Sequence, residues 1–418
     1  MTTADPLDPV GAARHRPAVA GWFSAARAAL DRPLTAYYLL LGASGLLLTI
    51  GLVMVLSASS VYSYQQNGGN SYAVVERQLI WVAIGIPCAW VASRLPFGVV
   101  RSFAWPALLA AIVLLALVRV PGLGVEVNGN TNWLGVGPFV VQPAEIAKLA
   151  IVLWAAHIYA RKDKRLDSFH EVFMPVVPGI LAVIVLVVLG HDLGTALVLF
   201  AILLAMLWVV GAPARLFTIS LTVIGAVALW LASTSPERRQ RLTNFADPFK
   251  DFHNAGWQPA HGLFALSSGG IFGQGIGASQ QKWGDLPEAH TDFIYAVLGE
   301  ELGLVGTLLV IGLFLTIAYA AIRVATHTQD PFVRYMTFGI VVWLLGQMII
   351  NVGMVLALLP VIGIPLPLVS YGGSALVPSL VALGLLIGFA RREPEAAQAI
   401  AQRKKARSAG LSAGRLPN

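Results

Sequence analysis

Apolar residues along the chain gather into runs of about 20, each long enough to cross a bilayer as a helix. We place ten such runs, at roughly 35–58, 76–94, 98–119, 143–160, 172–190, 193–211, 214–234, 291–323, 332–359 and 367–390. Pro96, Pro121, Pro143, Pro213 and Pro331 punctuate their ends. The fifth and sixth runs are parted by only a few residues around His191, Asp192 and Gly194. The seventh and eighth are parted by the polar interval 235–290. The pattern predicts an all-α integral membrane protein of about ten transmembrane helices. It places a large extracellular loop between helices 7 and 8, a tail over 1–34, a membrane domain over 35–391 and a second tail over 392–418.

Composition supports the membrane class. Of 418 residues, 57% are hydrophobic and 12% charged, where a soluble domain carries about 25% charged residues. Cys88 is the one cysteine, which excludes an intrachain disulfide and a thiolate metal site. The net charge of +7 does not point to nucleic acid, because the basic residues sit at segment ends and in the tails. The first 34 residues lack the apolar core of a signal peptide and read as a soluble tail.

Charge also sets the expected orientation. With the N-terminus cytoplasmic, 20 Lys and Arg fall inside and 7 outside, and Lys148 falls within a span. This bias places both termini in the cytoplasm and the 235–290 loop outside. That loop carries Phe245, Phe249, Trp257, Phe264, Phe272 and Trp283 beside Arg238, Arg239, Arg241, Lys250 and Lys282. A solvated linker would lack the aromatics, so the loop reads as a folded platform at the membrane surface. The basic C-terminal tail suits contact with anionic lipid or a cytoplasmic partner.

Five polar sets lie at or just inside the outer ends of the spans. They are Glu76-Arg77-Gln78; Gln142 to Lys148; Gly190 to Thr195; Leu286 to Phe293 with Gly299 to Gly303; and Pro367 to Ser374. Ionisable residues within spans are costly and mark functional sites by default. Glu145 and Lys148 share a helix face and can pair; a structural ion pair and a functional one are equally compatible with that spacing. Asp192 is most simply a helix N-cap, and Glu300 or Glu301 can brace the large loop. Convergence of the five sets on one side suggests a single outward-facing site. Gly273-Gln274-Gly275-Ile276-Gly277 has no preceding strand and is not a dinucleotide fingerprint. His170, His253 and His261 lack metal-ligand spacing.

In this order the sets resemble the SEDS family (shape, elongation, division and sporulation), polytopic peptidoglycan polymerases. The matching segments are Arg77-Gln78, Trp133-Leu134, Gln142 to Lys148, Asp192 to Thr195, Arg241 to Gln258, Leu286 to Phe293, Gly299 to Gly303, Asn351 to Gly353 and Ser370 to Ser374. Gln281-Lys282 ahead of Leu-Pro-Glu-Ala-His-Thr-Asp-Phe looks more like the cell-division branch than the elongation branch. The family's essential loop aspartate falls on Asp251, with Asp247 the second choice, because Phe252 stands where proline usually follows. His191 likewise stands where the family often has proline.

The resemblance implies a glycosyltransferase that polymerises lipid II, with undecaprenyl diphosphate leaving and Asp251 as general base. Arg77, Arg241, Lys148 and Lys282 are the cations expected near the diphosphate. Gln142, Glu145, His290, Asp292, Ser370 and Tyr371 complete the substrate-binding set. No nucleotide is needed, because the activated lipid brings its own leaving group, and a divalent cation is an option. The expected partners are a class B penicillin-binding protein that crosslinks the product and other divisome membrane proteins. The expected location is the bacterial plasma membrane at the division septum. The runner-up is a lipid II flippase. A third reading is an ion-coupled transporter using Glu145, Lys148, Glu300 and Glu301; it predicts paired broken helices and an internal repeat, and no repeat is evident.

Overall fold

A computed structural model describes residues 32–402, apart from 128–129, 137–138, 234–244, 246 and 255. Arg238, Arg239, Arg241 and most of both tails therefore lie outside the described residues.

A helix stands at each of the ten apolar runs. They are α1 (Thr35–Gln66), α2 (Ala73–Arg94), α3 (Ala104–Leu117), α4 (Pro143–Lys162), α5 (Val176–Leu189), α6 (Leu193–Val209) and α7 (Ala214–Ser233). After α8 (Trp257–Gly269), which lies within the polar interval, come α9 (Ile294–His327), α10 (Pro331–Val355) and α11 (Gly373–Arg391). Among the described residues, seven helices are long and apolar enough to cross a membrane by length and composition: α1, α2, α4, the segment ending in α5, α9, α10 and α11. Three shorter apolar helices, α3, α6 and Ala214–Ala226 within α7, fill the remaining places.

Helix α4 is the inner post of the bundle, packed by α3, α6, α10 and α11. Trp154 and Tyr159 on it are fully buried, and Pro143 occupies its first turn, where its missing N–H costs nothing. Helices α2 and α11 meet closely. A Cβ on Gly384 would lie 2.2 Å from the Ala89 carbonyl, the small-residue packing expected where lipid offers no hydrophobic drive.

At the end opposite the polar sets, ion pairs join the helix ends. Arg101 meets Asp330, and Asp163 accepts from Arg334 at 3.0 Å and from the Tyr335 hydroxyl at 2.6 Å. Arg392 donates to the backbone carbonyls of Arg94 and Leu95.

Two features were not expected. Between α3 and α4 the chain forms an antiparallel meander of β1 (Gly124–Val127), β2 (Asn130–Val136) and β3 (Phe139–Val141). Its register pairs Val127 with Asn130 and Val136 with Phe139. The sequence signal for it is Asn128-Gly129, a hairpin dipeptide that follows Val125-Glu126-Val127.

The second is the path of α8. It runs down the flank of α9 instead of lying on top of the bundle: Gly262 faces the Phe293 ring, and Gly269 faces the Gly299 carbonyl and Glu300. At its end the chain turns back against a break in α9 at Gly303, where φ is +67°. The break leaves backbone groups of α9 without helical partners, and the turn supplies them. Leu304 and Val305 donate to the carbonyls of Gly270 and Ile271 at 2.9 and 3.1 Å; Gln274 and Gly275 donate to those of Glu300 and Glu301 at 2.9 and 3.0 Å. Both sides require glycine. A Cβ on Gly273 would lie 2.2 Å from the Glu301 carbonyl, and one on Gly303 2.3 Å from the Gly273 nitrogen. The glycine run that failed as a nucleotide motif is this turn.

Candidate functional site

The polar sets meet in one connected layer at the loop end of the bundle. His290 is its centre. Its ring stacks on Tyr62 of α1 at 4.7 Å and lies 5.7 Å from the Tyr371 ring. Its carbonyl accepts from the Tyr371 N–H at 3.0 Å. Arg77, exposed at the start of α2, lies near Tyr371, and its charge opposes the rise that burial gives the phenol pKa. Ser370 is buried and structural in its bonding: its hydroxyl donates to the Thr291 carbonyl at 2.7 Å and accepts from the Leu366 N–H at 2.8 Å. Burial pushes the His290 imidazole below its ordinary pKa, with the Glu288 charge opposing.

Asp292 joins this layer to α10 and feels the charge of Asp192 at the start of α6. Its carbonyl accepts from the Asn351 side chain at 2.8 Å, and Asn351 also donates to the Ile364 carbonyl at 2.7 Å. The half-buried Asp292 carboxyl is pushed up to about 7, first by desolvation and then by the charges of Glu288 and Asp192. Asp192 caps α6 as expected, accepting from the Thr195 N–H and hydroxyl, each at 2.9 Å. It also accepts from Gln142 at 2.8 Å.

Inside α4, Lys148 Nζ lies 2.7 Å from Glu145 Oε1, with the side chains 1% and 2% exposed. Lys148 also lies 5.7 Å from the Trp343 ring centroid, a cation–π contact.

Lys282, expected among the cations near the diphosphate, is turned inward. It is 7% exposed. Its Nζ contacts Glu301 Oε1 at 2.9 Å, Ser57 Oγ at 2.9 Å and the Gly277 carbonyl at 2.7 Å. Ser57 donates to the same Glu301 oxygen at 2.6 Å. Glu300 accepts from the Ser279 hydroxyl at 2.5 Å and the Gln280 N–H at 2.9 Å. Both acids brace the loop, and the Lys282 charge is neutralised within the protein. Ser57 and Tyr62 carried no sequence signal, since nothing in an apolar run marks which small or aromatic residue faces a loop.

Asp251 closes a single 3-10 turn, Pro248–Asp251, and is half-buried. Its carbonyl accepts from the Asn254 and Gly256 N–H groups, and its carboxylate accepts from Asn254 Nδ2 at 3.0 Å. Gly256 is obligatory here, since a Cβ would lie 1.9 Å from the Pro248 carbonyl. Phe252, where the family usually has proline, is the hub of a ring cluster with His253, Trp257, His261 and Phe264. Trp257 Nε1 donates to the Asp285 carbonyl at 2.7 Å and Gln258 to the Pro287 carbonyl at 3.2 Å. These bonds tie the turn carrying Asp251 to the segment that leads into His290. Arg241 lies outside the described residues. Among the described residues no group of three or more His, Cys, Asp or Glu side chains is placed to hold a metal ion.

The chain matches known proteins along nearly its whole length. The probable peptidoglycan glycosyltransferase FtsW of Mycobacterium tuberculosis is 40% identical over 390 residues, 93% of this chain and 73% of that protein. Stage V sporulation protein E of Bacillus subtilis is 36% identical over 347 residues, 83% and 94% of the two chains. Among solved structures, a chain from a peptidoglycan synthase complex that coordinates polymerization and crosslinking aligns with a TM-score of 0.67. It is 28% identical and covers 85% of this chain and 97% of its own. The rod shape determining protein RodA of Thermus thermophilus aligns with a TM-score of 0.62 at 27% identity, over 85% and 97%. A profile described as cell cycle protein, spanning FtsW, RodA and SpoVE, matches residues 38–395. A multi-pass helical membrane chain with these motifs and relatives belongs to the SEDS family of cell cycle proteins.

Proposed function

We propose that this chain is a peptidoglycan glycosyltransferase that polymerises lipid II into glycan strands during septal wall synthesis. The observation that carries it is the polar layer at the loop end of the bundle, where Tyr371, His290 and Asp292 lie together beside Arg77 and beside the Gln142–Asp192 bond, with the Asp251 turn tied to its central segment. In the reaction the acceptor sugar hydroxyl attacks the donor's anomeric carbon. Its proton passes to Asp251, and the bond between that carbon and the diphosphate oxygen breaks. The hydroxyl is a poor nucleophile, so a positioned base matters. Undecaprenyl diphosphate departs with a charge that Arg77 and Arg241 offset. Lys148 and Lys282, already paired, act from behind the site by holding α4 and the loop.

Outward orientation of the loop and cytoplasmic termini follow from the Lys and Arg bias. Work alongside a class B penicillin-binding protein and other divisome proteins is what the family resemblance implies, and the likeness to a chain from a synthase complex that coordinates polymerization and crosslinking supports it. No reaction step is assigned to a metal ion.

Purified protein reconstituted with labelled lipid II, scored for glycan chains and for translocation, tests the reading. Asp251→Asn should fold and lose about 10²–10⁴-fold in polymerisation, with Asp247→Asn affected much less. Translocation without glycan chains would favour the flippase reading, and full activity of both variants would remove the loop aspartates as base.

A further inference from the structure

The turn after α8 carries an exposed apolar tip. Ile271, Phe272 and Ile276 are 61%, 82% and 64% exposed. They lie in Gly262–Gln281, twenty residues without a single ionisable side chain. The stems of this stretch are held. His261 Nδ1 lies 2.6 Å from Gln281 Oε1, and Lys282 is fixed to Glu301. The tip's exposure is therefore a property of a braced element.

Its level relative to the membrane can be read from α9. Between Glu301 and Arg323 this helix has 21 uncharged residues, Leu302–Ile322. At about 1.5 Å per residue they span about 30 Å, the thickness of a hydrocarbon core. The outer boundary of that core then falls near Leu302. The turn is fastened at this level, by the Leu304 and Val305 N–H groups on one side and the Glu300 and Glu301 carbonyls on the other. Below it the lipid-facing side of α9 continues through the exposed Leu304, Val305, Leu308 and Leu309. Pairing with the α9 break lowers the cost of placing the turn at this depth, because the Gly270 and Ile271 carbonyls and the Gln274 and Gly275 N–H groups are satisfied there.

The geometry points to Ile271, Phe272 and Ile276 as an interfacial anchor, inserted among the acyl chains of the outer leaflet. It goes beyond the proposed reaction: the loop bearing Asp251 is seated on the bilayer as well as on the bundle. Amphipathic elements sit this way, with their apolar side chains about 5–10 Å into the headgroup–acyl boundary.

Spin labels test it, with Cys88→Ser as background. Labels at Phe272→Cys and Ile276→Cys in lipid nanodiscs should collide more with oxygen than with a water-soluble nickel chelate. Their depth should match Leu304→Cys and not Asn254→Cys. Phe272 is so exposed that its label disturbs no packing, and Ile276 gives a second reading. Chelate-dominated collisions at both sites, as at Asn254→Cys, overturn the anchor. Chelate access in lipid alone that is lost when the transpeptidase partner is added also overturns it, and assigns the tip to protein docking.

Discussion

Two single residues give opposite kinds of signal. A carboxyl near pKa 7 in the fold and 3.8 ordinarily keeps its proton in the folded state through the window between. The folded chain then binds more protons than the unfolded one, so stability falls as pH rises from about 4 to about 7. The melting midpoint of the wild type should drop over that range. Asp292→Asn, which cannot ionise, should lack this component, and an identical slope in both proteins would refute the shift. Arg77 is exposed and lies near Tyr371. Arg77→Ala should raise the KM for lipid II and leave expression unchanged; an unaltered KM removes it from the site.

At the scale of elements, buried ion pairs set the consequences of substitution. Lys148→Ala leaves Glu145 charged and alone inside α4 and should cost about 3–5 kcal/mol, read as a thermal shift. Glu145→Gln with Lys148→Met should recover stability and, because the pair acts by holding α4, polymerisation with it. A stable double variant without polymerisation would give the pair a direct part in the site. Lys282→Met likewise strands Glu301, whose partners include Ser57 of α1. It should loosen the loop and speed tryptic cleavage at Lys250, while unchanged cleavage would mean the loop is held elsewhere. The helices were legible because each apolar run is long. The inward turn of Lys282 was not, since a lysine in a charged loop reads as exposed until its acid is placed. The meander β1–β3 was missed because its strands are short and lack clean alternation.

For the whole molecule, the apolar runs carried the architecture, and spacing alone could not say how the loop meets the bundle. In a Cys88→Ser background, a cysteine at the exposed Asn254 should react with an impermeant thiol reagent from outside, and one at Ser168 should not. The reverse pattern would place the loop in the cytoplasm, where lipid II polymerisation has no product to deliver. The site itself was legible as a set of motifs, and its connectivity was not. Tyr62, Ser57 and Asn351 join segments far apart in sequence, and no local pattern reports such contacts.

The Ser57–Lys282–Glu301 knot makes the loop a poor cassette. A chimera that trades 245–290 between relatives inherits a buried lysine whose counter-ion and hydroxyl belong to the host's α9 and α1. It also inherits a glycine turn that fits only a host helix broken where α9 is. Grafts should therefore fail unless the residues at 57, 300, 301 and 303 travel with the loop, so the unit that diverges as one piece is the loop together with those four positions.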